Sequence, residues 1–217
     1  VSKKDLTRTN QLLLINEYKP SPATFSDYRH LPELTKINKI ASVEIHKELT
    51  KKKYLKEFNY ITVSKTTFKN ENLIFLNYAN QLCLSIIAIQ INDDGLYFKS
   101  IALRNAYDVF LLSKKTNSLN AIKNYKSLFD ILNSFIAISN ITFGGVSSLK
   151  HKESKNTDKF LAKNYKILND DFFRKGHHLV WSKYLFLKLR INLILKSFND
   201  KQTRIWLINR LIKGKQY

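Results

Sequence analysis

Methionine is absent from this chain, cysteine occurs once, and there are only three prolines and five glycines. A single thiol, Cys83, excludes an internal disulfide and any zinc site needing two or more thiolates. Such a chain suits a reducing compartment or is indifferent to redox state. Without methionine the initiator is missing, whether by removal, an unusual start or an incomplete end. Long apolar runs are also lacking. The longest strongly apolar stretches, 82–91 and 184–187, fall far short of the ~20 residues that cross a bilayer, so no membrane span is expected. No secretory signal is visible, and residues 1–16 lack the arginine-rich character of a transit peptide. A protein working in an organelle would then have been made there or already processed.

Acidic residues are few as well: 17 Asp and Glu face 37 Lys and Arg, for a net charge of +20. With 44% hydrophobic residues the 217-residue chain can bury a real core, so disorder throughout is excluded. A folded chain this positive repels itself unless a polyanion accompanies it. Phosphates neutralised by Lys or Arg release condensed counterions and so drive association. A nucleic-acid partner is the expectation.

The kind of excess matters too. There are 30 Lys to 7 Arg, and 21 Asn and 22 Ile to 9 Ala. Lys, Asn and Ile have AT-rich codons, and helix propensity would not choose Asn over Ala. The bias points to an AT-rich gene of the organelle kind, hence to a mitochondrial, organelle-encoded protein.

Periodicity suggests an α/β chain: a small mixed-sheet domain with flanking helices, an extended N-terminal arm and a long C-terminal amphipathic helix. Residues 1–60 read as an arm and a basic helix. Lys19-Pro20-Ser21-Pro22 must be extended, with Tyr18, Phe25 and Tyr28 as anchors, and a helix is expected over 42–58. Residues 61–145 read as an α/β RNA-binding domain. A strand is expected at 60–64, a helix at 70–82, strands at 84–91, 108–113 and 135–143, and helices at 96–106 and 118–133. Turns fall at 92–95 and 114–117. Residues 146–180 form a charged connector, with a mobile loop over 144–158. Residues 181–217 carry an apolar seam, Tyr184, Leu187, Ile191, Ile194, Phe198, Ile205, Ile208 and Ile212, at spacings of three and four. This is one long helix, or two helices meeting at Asn199-Asp200, where either residue could cap.

Catalytic patterns are weak. Glu153-Ser154-Lys155 has the E-x-K spacing of metal-dependent nucleases, with Asp130 as an upstream acid. Without apolar alternation around it, a solvated loop is the better reading. His177-His178 are adjacent and so point apart, poor geometry for chelation. Asp93-Asp94 before Gly95 is explained by a turn. Neither a phosphate-loop nor a nucleophile-elbow pattern occurs. No cofactor or metal and no enzymatic activity is expected.

Basic residues interleaved with aromatic ones carry more. Lys51-Lys52-Lys53-Tyr54, Lys123-Asn124-Tyr125-Lys126 and Lys163-Asn164-Tyr165-Lys166 each set cations beside a ring. Phosphates would meet the lysines, and unstacked bases the tyrosines. Alternatively each Tyr is core and each Lys is solvated. Lys51, Lys52, Lys53, Lys123 and Lys126 are candidate RNA contacts from this reading, and Lys99 is a further candidate.

Between residues 84 and 138 the order of features resembles the large-subunit ribosomal stalk-base family, the one numbered ten. The matching positions are the strand at 84–91, Leu103-Arg104, Leu112-Ser113-Lys114-Lys115-Thr116, and Leu128-Phe129-Asp130-Ile131-Leu132-Asn133-Ser134. Lys115 stands where the family has Asn, and Ser134 where it has Gly. The resemblance implies rRNA contacts by Arg104, Lys114, Lys115 and Asn117. It also implies a C-terminal helix that holds small stalk proteins, here through Leu187, Ile191, Ile194, Phe198, Ile205 and Ile208. The expected function is therefore structural: a mitochondrial ribosomal protein in the matrix, bound to rRNA and neighbouring ribosomal proteins, in the large subunit at the stalk base. The alternatives are a small-subunit ribosomal protein, an accessory subunit of a respiratory complex, or a metal-dependent nuclease.

Overall fold

The computed structural model describes residues 1–2, 4–21, 29–71 and 73–213. It divides into two compact units, Val1–Asn164 and Tyr165–Tyr217.

The start of the first unit is folded, not an extended arm. Helix α1 spans Leu6–Ile15. Strands β1 (Lys19–Pro20) and β2 (Leu34–Thr35) pair antiparallel, with Pro20 opposite Leu34. Further bridges join Leu34 to Val43 and His30 to His46. The Val1 ammonium donates to the His46 carbonyl at 2.9 Å. Leu34 and Ile45 are buried and give this patch its apolar centre. The bridges at Val43 and His46 explain why no helix runs over 42–58: the β-branched stretch pairs with 30–34 instead. A 3-10 turn at Lys52–Tyr54 follows and brings Tyr54 and Phe58 into the core. Pro22, Phe25 and Tyr28 lie outside the described residues.

The strand expected at 60–64 is helix α2, Tyr60–Ser64, capped by Asn59, whose side chain accepts from the Thr62 amide. The helix expected at 70–82 begins only at Tyr78. Before it, β3 (Thr67–Asn70) and β4 (Leu73–Leu76) form a hairpin with Phe68 opposite Phe75. Asn77 caps α3 (Tyr78–Ile87) by accepting from the Asn80 amide at 2.8 Å.

Both helices and small antiparallel sheets are present, so the coarse mixed class holds, but helices make the body. The three strands expected at 84–91, 108–113 and 135–143 are all helical. The first lies in α3 and a π-helical continuation, Ala88–Asn92. The second is the end of α5, Leu103–Ser113. The third is most of α7, Phe129–Thr142. The reason is visible in α7, where every residue from 132 to 139 is buried. A helix covered on all sides is apolar all round and has the same signature as a buried strand. The helices expected at 96–106 and 118–133 are each interrupted. Residues 99–102 separate α4 (Gly95–Phe98) from α5. Residues 123–128 separate α6 (Ser118–Ile122) from α7, and there the Ser127 amide donates to both carboxylate oxygens of Glu57. The core packs α3, α5, α6 and α7 around Phe58, Leu82, Ile86, Ile122, Leu132 and Phe135.

The stretch expected to be mobile, 144–158, is anchored. Gly144 and Gly145 have positive φ and turn the chain back. Leu149 is buried, and the Ser118 hydroxyl donates to the Lys150 carbonyl at 2.6 Å. Helix α8, Lys155–Asn169, starts here, with the first unit ending inside it at Asn164.

In the second unit, α9 (Asp171–Asn199) is capped by Asp170, which accepts from the Phe173 amide. Helix α10, Lys201–Lys213, follows after Asp200, whose carboxylate accepts from the Thr203 hydroxyl at 2.6 Å. Of the two arrangements open for the seam, this is the pair of helices. No residue of α9 is buried.

Candidate nucleic-acid interface

The most organised cluster of cations is built on the turn after α3. The π-helical end of that helix leads into Asp93-Asp94, with Asp94 left-handed at φ 59°. Gly95 follows because nothing larger fits: a Cβ there would sit 2.6 Å from the Ile89 carbonyl oxygen. The turn is held from outside by Asn92, which donates to the Leu49 carbonyl at 3.0 Å, and by Lys51, paired with Asp94 at 2.5 Å. Gln90 donates to the Ser100 carbonyl at 2.9 Å.

Lys99 ends α4 in the left-handed region, φ 52° and ψ 31°. Glycine or asparagine is the economical choice at such a position, and a lysine there costs about 1–2 kcal/mol. Its carbonyl accepts from Asn164 Nδ2 at 2.6 Å, and its ammonium lies 5.1 Å from the centre of the Phe160 ring. Lys159 and Lys163 stand on the same face of α8, one turn apart. Together with Leu96, Asp130, Ile131, Ser134, Asn156 and Phe160, the three lysines line a cavity of about 260 Å³. Asp130 Oδ2 accepts from Asn156 Nδ2 at 2.7 Å. No carboxylate among the described residues is within ion-pair distance of Lys99, Lys159 or Lys163. Burial lowers the Lys99 pKa, and the nearby Lys163 charge lowers it further.

Of the other RNA-contact candidates, Lys51 is taken up by Asp94. Lys53 lies over its neighbour Tyr54 at 5.2 Å. Lys52, Arg104, Lys115, Lys123 and Lys126 are exposed. Lys114, at the end of α5, is exposed and sits 4.1 Å above Phe110. The Asn117 side chain caps α6 by accepting from the Asn120 amide at 3.0 Å.

The three basic-aromatic clusters separate by burial. Tyr54 is buried, and Tyr125 packs edge-on against Phe58 while its hydroxyl donates to Asn80 Oδ1 at 2.9 Å. Burial raises the Tyr125 pKa to about 12. Neither ring is a stacking platform. Tyr165 is 70% exposed. Lys159 and Lys163 were missed as a pair in the sequence; the signal available was like charge at i and i+4 beside an aromatic residue.

Glu153 and Lys155 flank Ser154, whose hydroxyl accepts from the Thr157 amide at 3.2 Å at the start of α8. The E-x-K residues thus sit at a helix start and not on a strand. His177 stacks on Phe173 and accepts from Trp181 Nε1 at 3.0 Å, while His178 lies 3.2 Å from the Ser182 hydroxyl. Each histidine is engaged along its own helix face. The seam residues Leu187, Ile191, Ile194, Phe198, Ile205 and Ile208 are all between 47% and 72% exposed. Among the described residues, no group of three or more His, Cys, Asp or Glu is placed to hold a metal ion, and no helix is long and apolar enough to cross a membrane. No family model, no curated protein and no solved structure matches this chain.

Proposed function

We propose that the chain is a non-catalytic structural constituent of a mitochondrial ribosome that binds rRNA through lysine ammonium groups. The observation that carries this reading is the net charge of +20 on a folded core. Lys115, Lys123, Lys126, Lys150, Lys152 and Lys155 are exposed with no ion pair among the described residues, and the 95–99 turn and α8 gather three more cations in one concavity. That arrangement suits a polyphosphate backbone better than base readout. The codon-driven composition supplies the mitochondrial part. The stalk-base placement, with small stalk proteins on the seam of α9 and α10, is the finer proposal. It rests on the matched residues alone, because the strand order expected over 84–138 is helical here.

RNA binding measured across a salt series tests the reading. Affinity should fall steeply and linearly on logarithmic axes. Replacing Lys114 and Lys115 together by Ala should shallow that slope by ~1.4, at about 0.7 for each single-strand phosphate contact, with the circular dichroism spectrum unchanged. An unchanged slope would remove both residues from the interface. Sedimentation with the large or the small ribosomal particle decides the subunit.

A further inference from the structure

We infer that the cleft between the 95–99 turn and α8 is a binding site for one phosphate group, held jointly by Lys99, Lys159 and Lys163. The inference rests on the RNA-binding reading only for the source of that phosphate; the site stands on its own geometry.

Three lysines from two separate elements line one cavity of about 260 Å³. None is neutralised by a carboxylate among the described residues. Asp130, the one acid in the lining, is engaged by Asn156, and the lining stays positive. Lys159 and Lys163, as like charges one turn apart, weaken their own helix. Lys99 is half-buried, and an ammonium partly out of water without a counterion is costly. An anion in the cavity turns this mutual repulsion into charge-assisted hydrogen bonds. The apolar floor, Phe160, Leu96 and Ile131, screens those bonds less than water does. Lys99 adds a separate argument. It occupies a left-handed position that glycine fills at lower cost, and its carbonyl is clasped by Asn164. The turn therefore holds that ammonium over Phe160 ready for a ligand. The chemistry admits two sources: a backbone phosphodiester of bound RNA, or a free phosphate.

Equilibrium dialysis of the full chain against radiolabelled orthophosphate at low salt tests the site, with and without saturating single-stranded RNA that lacks terminal phosphates. One saturable site per chain is expected. Lys99→Gln and Lys163→Gln should each weaken it about tenfold, the scale of one hydrogen bond between charged groups. Lys65→Gln, which changes the net charge equally but lies elsewhere on an exposed turn, should change it less than twofold. Displacement of orthophosphate by RNA identifies the backbone as the source, and retention beside bound RNA identifies free phosphate; either supports the site. Absence of saturable binding overturns it, as does an equal loss in Lys65→Gln, which is diffuse attraction to a polycation. RNA binding is read in the same samples by fluorescence anisotropy. RNA bound without a phosphate site sinks the cleft alone, and a phosphate site without RNA binding sinks the ribosomal reading alone.

Discussion

Asn133, in the middle of α7, clasps the backbone of Lys152 from both sides: its Oδ1 accepts from the Lys152 amide at 2.7 Å, and its Nδ2 donates to the Lys152 carbonyl at 2.8 Å. The same Nδ2 lies 2.8 Å from the Thr157 hydroxyl. One fully buried side chain thus fixes where the chain returns to the core and where α8 begins. The positions of Lys159 and Lys163 descend from it.

Asn133→Ala should destabilise the first unit by about 2–3 kcal/mol, because it strands the part-buried Lys152 amide and carbonyl and the buried Thr157 hydroxyl as well as losing the bonds. Urea unfolding measures this, and amide exchange should quicken first around 150–157. A loss under about 0.5 kcal/mol, the scale of a neutral surface change, would show that the clasp is not formed in solution.

Gly95 and Lys99 bracket the same turn and should respond in opposite ways. Gly95→Ala forces a methyl group against the Ile89 carbonyl oxygen, and a loss of about 1–3 kcal/mol is expected. Lys99→Gly relieves a left-handed lysine, worth about 1–2 kcal/mol, while losing a contact with Phe160 of about 0.5–1 kcal/mol. Its melting temperature should hold or rise. A large fall would mean that the Lys99 side chain is structural.

The ends of elements were more legible than their type. The turn before Ser118 and the break at Asp200 were readable because turn and cap chemistry is local: the Asn117 and Asp200 side chains each bond an atom three residues on. Asn117, expected to touch RNA, spends its side chain as the cap. The seam from Tyr184 to Ile212 was readable because apolar residues gathered on one side of a helix recur at three and four, whether or not that side is covered. Residues 84–91 and 135–143 were misread for the opposite reason, since burial on all sides erases periodicity. The cleft was half legible. Lys99 is visible as a cation, but its meeting with α8 depends on Asn133 and Asn164, whose partners are 19 and 65 residues away.

High pH should unfold the first unit earlier than an ordinary titration would. Burial raises the Cys83 thiol from 9.0 to about 12. It raises the Tyr125 phenol from 10.0 to about 12, with Cys83 adding to the effect. Both native groups keep protons that the unfolded chain releases. Their contribution is complete below pH 9 and is lost as pH climbs through about 12. Urea midpoints taken from pH 8 to 11 should fall, less steeply in Tyr125→Phe than in the wild type. A thiol reagent at neutral pH should react with Cys83 only in denaturant, since the residue is fully buried. Reaction of the native protein would contradict this packing.

Leu187 and Ile194 are 59% and 52% exposed, so Leu187→Glu with Ile194→Glu should leave the melting of the first unit within about 0.5 kcal/mol of the wild type. The same pair should reduce self-association and dye binding by the isolated protein, because an exposed apolar stripe seeks cover. Analytical ultracentrifugation reads the first effect. Equal association in both proteins would show that the seam is not the sticky surface.

Helix α9 has 29 residues and buries none of them, although Phe186, Leu189 and Leu195 widen its greasy surface beyond the seam. In a living cell, surface of that kind is what chaperones grip and quality-control proteases clear. Surplus copies of this chain should therefore be short-lived. Abundance would then be set by assembly rather than by synthesis alone, making α9 a built-in gauge of stoichiometry.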